Sequence, residues 1–323
     1  MSEINLSKYN IHTDLIIEDN KSISNEKIID DITISETKKN GNYITISFDD
    51  ITDYSNYKKV GLVLEDELNK ILSLNNIKEN DSVLVIGLGN SKSTPDSLGC
   101  KVVSQVVVTR HLFKLGNVSN LYRCVSALTP GVMANTGMET KDIITSIIKE
   151  IKPDFVIVID ALSSLSIERI NKTIQLTDTG IHPGGGIGNN REELSKKNLG
   201  IPIIAIGVPT VVSATTIVND TINYLIKHIS YIKDNDSVNK LSFYKKNYLN
   251  KIKDKELSME ELSNLFGLFG GLNQNDKIRL INEVLNNINL DLIVTPSEID
   301  FLIDKLSSLI AKSINSALHR QIN

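Results

Sequence analysis

The sequence predicts an α/β fold, an open doubly wound sheet with a smaller helical insertion, on three observations. Three short apolar runs, Ser82-Val83-Leu84-Val85-Ile86, Phe155-Val156-Ile157-Val158-Ile159 and the stretch from Pro202 to Val208, have the unbroken hydrophobicity of strands buried on both faces. Segments of helical periodicity alternate with them, which is the order a doubly wound sheet requires. A chain of 323 residues is also long enough to bury a large core without disulfide staples.

Taken in order, residues 1–42 carry scattered charges with Ser, Asn and Lys-Gly punctuation and read as an irregular arm. It ends before the alternating strand Tyr43-Ile44-Thr45-Ile46-Ser47-Phe48. A helix is expected from about Val60 to Leu74, and Gly87 and Gly89 bound the first buried strand. Pro95, suited to a first helical turn, opens a predicted helix to about Leu112. Ile143, Ile144, Ile147, Ile148 and Ile151 form one apolar helical stripe before the second strand. The third strand leads into a helix from about Ala214 to Ile229. Residues 231–290 differ: they are rich in Lys and Asn, with short helical patterns and a break at Phe266-Gly267-Leu268-Phe269-Gly270-Gly271, and read as a helical insertion or subdomain. Residues 291–323 return to the main domain of 15–230 through a helix from near Pro296 to about Leu318.

Composition narrows the function. The net charge is −4, from 35 basic and 39 acidic residues spread along the chain, so no basic block marks a nucleic-acid surface. Cys100 and Cys124 lack CxxC spacing and fit a reducing compartment. The start has neither the charged nor the long apolar region of a signal peptide, and no segment reaches about 18 uninterrupted apolar residues, so a cytoplasmic protein without a membrane span is expected. His12, His111, His182, His228 and His319 make no HExxH or i,i+4 pair, and Ser126 and Ser213 have no GxSxG context, so neither a metal site nor a serine triad is expected, and no cofactor.

The chemistry that remains rests on carboxylates. Asp160 closes the strand FVIVID, and Asp96 lies shortly after the first buried strand in Gly87-Leu88-Gly89-Asn90-Ser91-Lys92-Ser93-Thr94-Pro95-Asp96. In an open α/β sheet the crevice beyond the carboxyl ends of the strands is the ligand site, where two side chains 64 residues apart can meet. Two carboxylates in one site do not both ionise cheaply, so one can serve as acid while the other takes a proton from water, a complete pair for amide hydrolysis. The competing reading is structural, with Asp96 favouring a helix start and Asp160 satisfied by loop amides. The glycine-rich loop Thr179-Gly180-Ile181-His182-Pro183-Gly184-Gly185-Gly186-Ile187-Gly188-Asn189 lacks the phosphate-cradle spacings, which leaves peptide binding or a plain turn.

Six stretches, STPDSLG (93–99), LTPGVMANTGMET (128–140), DAL with SIERINKTIQLTDTGIHPG (160–184), GNNR (188–191), VPTVV (208–212) and VTPSEIDFLIDKLSSLIAKSINSALH (294–319), resemble the germination proteases of endospore-forming bacteria. The resemblance spans most of the chain. It implies a fold like that of the hydrogenase maturation proteases and an endopeptidase that degrades the small acid-soluble proteins coating spore DNA, in the cytoplasm of the developing spore or the spore core. It further implies a homotetramer without cofactor, membrane or direct nucleic-acid contact, made as a self-processing zymogen. The catalytic aspartates would be Asp96 and Asp160. Asn90, Thr94, Asp178, Gly184 and Gly186 would bind substrate or support its loops. Residues 1–14 would be the propeptide, cut between Asp14 and Leu15 within YNIHTDLIIE. Four positions depart from the family pattern: Cys100 for Pro, Leu165 for Arg, Gly185 for Ser and Ser213 for an acidic residue. The alternatives are a hydrogenase-maturation-like peptidase, echoed faintly by Gly89-Asn90 ahead of Asp96 and Gly99, and an idle α/β binding protein.

Overall fold

A computed structural model describes residues 15–18, 24–116, 118–182, 193–234, 252, 256–288 and 292–320. The proposed propeptide with Asp14, and Gly184, Gly185 and Gly186 of the glycine loop, lie outside the described residues. The strands are β1 (Ser24–Ile29), β2 (Ile32–Lys38), β3 (Asn42–Ser47), β4 (Val83–Gly87), β5 (Val125–Leu128), β6 (Phe155–Ser164), β7 (Thr173–Thr177), β8 (Ile203–Ser213) and β9 (Ile293–Val294). All nine form one sheet, eight of them in the order β1-β2-β3-β7-β8-β6-β4-β5 and β9 paired antiparallel with the end of β8. β4 pairs parallel with β5 and β6, while β1, β2, β3 and β7 run antiparallel to their neighbours, giving the mixed α/β sheet.

The two predicted central strands are buried on both faces because their side chains alternate between two cores. Val83, Val85, Phe155, Ile157 and Ile159 enter one cluster, and Leu84, Ile86, Val156 and Val158 the other. The first core is closed by helices α1 (Tyr54–Leu74), α2 (Leu98–Val103) and the C-terminal helix Ile299–Leu318, and the second by the helix Thr140–Ile151. In α1 the apolar stripe Val60, Val63, Leu64, Leu68, Ile71 and Leu72 is buried, and Asp53 caps the start by accepting from the Asn56 backbone N–H at 2.8 Å. Each fully buried Leu or Ile here is worth about 1.5–3 kcal/mol.

Two expectations are corrected. The stretch read as an irregular arm contains the β1–β2 hairpin, whose turn places Asp30 and Asp31 at φ 48° and 70°. Two successive left-handed residues make the tight primed turn that suits a hairpin. The single helix expected from Pro95 to Leu112 is instead a 3-10 turn (Thr94–Asp96), α2, and α3 (Arg110–Leu115). The break occurs because residues 107–109 find partners elsewhere. Val107 N–H donates to Asn315 Oδ1 at 2.9 Å, and Thr109 exchanges hydrogen bonds with Arg123 and Val125 beside β5.

The remaining helices are α4 (Met133–Thr136), α5 (Thr140–Ile151), α6 (Lys196–Leu199), α7 (Ala214–Asp234), α8 (Met259–Gly270), α9 (Gln274–Asn287) and α10 (Ile299–Leu318). The chain divides into two compact units, and the smaller comprises Leu165–Ile167 and Val212–Val294 among the described residues. There α7 is capped by Ser213, whose Oγ accepts from the Thr216 backbone N–H at 3.1 Å. It packs on α9, with Thr215 Oγ1 donating to Asn282 Oδ1 at 3.2 Å. Ser258 and Glu261 form a capping box at the start of α8. No helix among the described residues is long and apolar enough to cross a membrane.

Candidate active site

The site is built in the larger unit, at the carboxyl end of β4 and beside the middle of β6. Their parallel register pairs Gly87 with Ile159, and Leu88 N–H then donates to Ile159 carbonyl at 2.8 Å, so β4 ends level with Ile159. Asp160 does not close its strand as expected: β6 runs on through it to Ser164, because Leu162, Ser163 and Ser164 are still buried in the sheet. Asp160 continues the parity of Val156 and Val158, which puts it on the α5 side of the sheet, 4 % exposed. Its Oδ1 accepts from the Ala161 backbone N–H at 2.9 Å.

Asp96 reaches the same place by a different route. After β4 the chain turns back on itself through the 3-10 turn, and Asn90 N–H donates to both the Asp96 carbonyl (3.0 Å) and Asp96 Oδ2 (2.9 Å). A Cβ on Gly89, which sits at φ +98°, would lie 2.0 Å from the Asp96 carbonyl oxygen, so the turn closes this tightly only with glycine there. Three residues on, Gly99 touches the end of β4 and the middle of β6: a Cβ there would meet Leu88 O at 2.5 Å and Ile159 O at 2.6 Å. α2 is thereby pressed onto the junction from which Asp160 projects.

Cys100 reports the result. Its half-buried Sγ lies 3.8 Å from the Gly89 carbonyl and 4.0 Å from the Leu88 carbonyl. Burial pushes the thiol pKa up, and the charges of both Asp96 and Asp160 push it further, so both carboxylates act on one atom. At about pH 8 alkylation of Cys100 by iodoacetamide is therefore expected to run several-fold slower than that of glutathione, and to speed up when either aspartate is replaced by asparagine. Peptide mass spectrometry reads the rate, and alkylation as fast as that of glutathione would separate Cys100 from the carboxylates.

The other candidate residues divide. Asn90 is in direct contact with Asp96, and Thr94 opens the same turn, its carbonyl accepting from Ser97 N–H (3.1 Å) and Oγ (2.8 Å). Asp178 is elsewhere, past the end of β7, where its carboxylate accepts from Asn42 N–H (2.7 Å), Asn42 Nδ2 (2.6 Å) and Asn75 Nδ2 (3.1 Å). Those bonds tie the start of β3 and the end of α1 to β7. Leu15 is buried at 2 % exposure, and the residues after it are tied down: Ile16 N–H donates to Gln175 Oε1 at 2.8 Å, Ser164 Oγ to Glu18 Oε1 at 2.6 Å, and Arg169 pairs with Glu18 at 3.4 Å. Beside this segment a cavity of 580 Å³ is lined by Ile16, Leu162, Gln175, Thr177, Ala205 and Gly207, among others. Leu162 is two residues beyond Asp160 on the same strand.

One residue escaped the sequence reading although its motif was noted. Asn135, in the short helix α4 after β5, donates from Nδ2 to Asn90 Oδ1 at 3.2 Å. The only sequence signal is a pair of glycines, Gly131 and Gly137, bracketing a segment too short for an ordinary helix.

Among solved structures, the [NiFe] hydrogenase maturation protease HycI from Thermococcus kodakarensis KOD1 is similar at 20% identity and a TM-score of 0.28, covering 45% of this chain and 80% of that one. In sequence the likeness is far stronger. The germination protease of Bacillus velezensis is 47% identical over 297 residues, 88% of this chain and 80% of its own length. That of Bacillus subtilis is 40% identical over 358 aligned residues, spanning 100% of this chain and 97% of its own, and that of a Geobacillus species 42% identical across 99% and 96%. The germination protease family profile matches residues 7–323. With identity of this order over nearly the whole length, the chain belongs to the germination protease family and is a protease of spore germination.

Proposed function

We propose that this protease is an aspartic-type endopeptidase that cleaves small acid-soluble spore proteins with Asp96 and Asp160, in the spore cytoplasm, and that it is made as a zymogen. The observation that supports the pair is the contact of Gly99 with both Leu88 and Ile159, which holds the turn of Asp96 against the strand that carries Asp160. A water molecule between the two side chains gives up a proton to the ionised carboxylate as its oxygen bonds to the scissile carbonyl carbon. The protonated carboxyl gives its proton to the carbonyl oxygen, and collapse of the tetrahedral intermediate then passes a proton to the departing amine. Neither step calls on a cofactor or metal.

The arm is read the same way. Cleavage between Asp14 and Leu15 would leave a chain whose first residues, Leu15 to Glu18, are already anchored beside the cavity that Leu162, on the strand of Asp160, helps to line. A tethered segment upstream of Leu15 has a high effective concentration at the crevice and obstructs it without binding tightly. The active species is read as a homotetramer, on family resemblance.

One incubation tests the reading. The full-length chain is mixed with a purified small acid-soluble spore protein, with and without EDTA, and fragments and new N-termini are followed by mass spectrometry. Cleavage of the substrate, unchanged by EDTA and accelerated once the chain begins at Leu15, is the expected result. Loss of activity with EDTA and its return with zinc would overturn the metal-free pair. A full-length chain that cleaves as fast as one starting at Leu15 would overturn the inhibitory arm.

A further inference from the structure

The turn that carries Asp96 is held from one side by a segment to which no role has been given. Residues 129–138 follow β5, the strand beside β4, and so emerge next to that turn. They bend at Gly131 (φ +75°) and Gly137 (φ +70°) around α4, whose single turn is closed by Gly137 N–H donating to the Met133 carbonyl at 2.8 Å. From it Asn135 reaches Asn90 Oδ1 at 3.2 Å, and the same oxygen accepts Lys92 N–H at 3.1 Å. Asn90 in turn holds Asp96 by its backbone N–H, at both the carbonyl and Oδ2. The chain of contacts is therefore Asn135, Asn90, Asp96.

We propose that Asn135 is a positioning residue for Asp96, acting through the side chain of Asn90; the inference rests on the reading of Asp96 as catalytic. A hydrogen bond between exposed side chains adds little to folding stability, since water replaces it readily. Its effect falls on geometry, where a displacement of about 1 Å costs on the order of a hundredfold in rate. Met133 and Met138, both exposed, flank Asn135 on this segment and give a bound peptide adaptable apolar surface to lie against. A peptide lying there would steady α4 and with it the Asn135–Asn90 contact, so the contribution is felt in turnover rather than in binding.

The test is a double-mutant cycle on the full chain beginning at Leu15, with a purified small acid-soluble spore protein as substrate. Asn135→Ala is expected to lower kcat roughly tenfold, leave KM within about twofold, and leave Tm unchanged to about 1 °C. In the Asn90→Ala background the same substitution is expected to cost no more than about twofold, because its partner is already gone. An equal loss in both backgrounds, or a loss confined to KM, would overturn the proposal. Asp96→Asn, assayed alongside, separates the two readings. If it turns over substrate normally the catalytic assignment fails, whereas an inactive Asp96→Asn beside a fully active Asn135→Ala defeats the positioning role alone.

Discussion

Asp96→Asn and Asp160→Asn are each expected to lower kcat on a spore-protein substrate by about a thousandfold or more while the fold survives. General acid–base catalysis by one positioned group is worth roughly 10²–10⁴-fold, and each substitution removes half of a pair that works only together. The fold survives because the amide is isosteric with the carboxylate and keeps a carbonyl oxygen for the backbone donor already present, Ala161 N–H at position 160 and Asn90 N–H at position 96. Thermal unfolding should stay within about 2 °C of wild type, equivalent to roughly 1 kcal/mol for a protein of this size. A combined Asp96→Asn/Asp160→Asn variant is expected to be scarcely worse than either alone, as for any residues that act as a unit. Near-normal turnover by either single variant would remove that residue from the mechanism.

What the sequence discloses about this site follows from where each signal resides. The run Phe155–Ile159 was legible as a strand because a strand buried on both faces has to be an unbroken apolar run, but the charge of Asp160 hid the continuation of that strand to Ser164. The turn that carries Asp96 was legible from Pro95, which suits a first helical turn. The course of the chain after Asp96 was not legible, since the helix break at residues 107–109 depends on Asn315, 208 positions away. The β1–β2 hairpin was hidden because its turn uses Asp30-Asp31 in place of the glycine that normally announces such a turn. Asn135 was unreadable as a neighbour of Asn90 because two loops at the carboxyl ends of adjacent strands meet only through the β4–β5 register.

Gly99→Ala is the second large effect expected, and it opposes local propensity to tertiary packing. Inside a helix alanine is favoured over glycine by about 1 kcal/mol, so α2 taken alone would gain from the change. The added Cβ, however, would stand 2.5 Å from Leu88 O and 2.6 Å from both Ile159 O and Leu88 N, all backbone atoms that cannot rotate away. Relief requires α2 to lift by about 1 Å, a strain costing roughly 1–3 kcal/mol, so packing wins. The lift also carries the turn of Asp96 away from Asp160, at about a hundredfold in kcat for a displacement of that size. Gly61→Ala supplies the contrast: this glycine is also helical, in α1, but its added Cβ would meet nothing nearer than Leu309 Cγ at 4.0 Å. That variant is expected to raise Tm by about 1–2 °C and to leave activity alone. Gly99→Ala should lower both Tm and kcat, and its activity should stay low even at temperatures where circular dichroism shows it fully folded. A Gly99→Ala enzyme with wild-type turnover when folded would mean that the clamp of α2 on Leu88 and Ile159 does not set the distance between the aspartates.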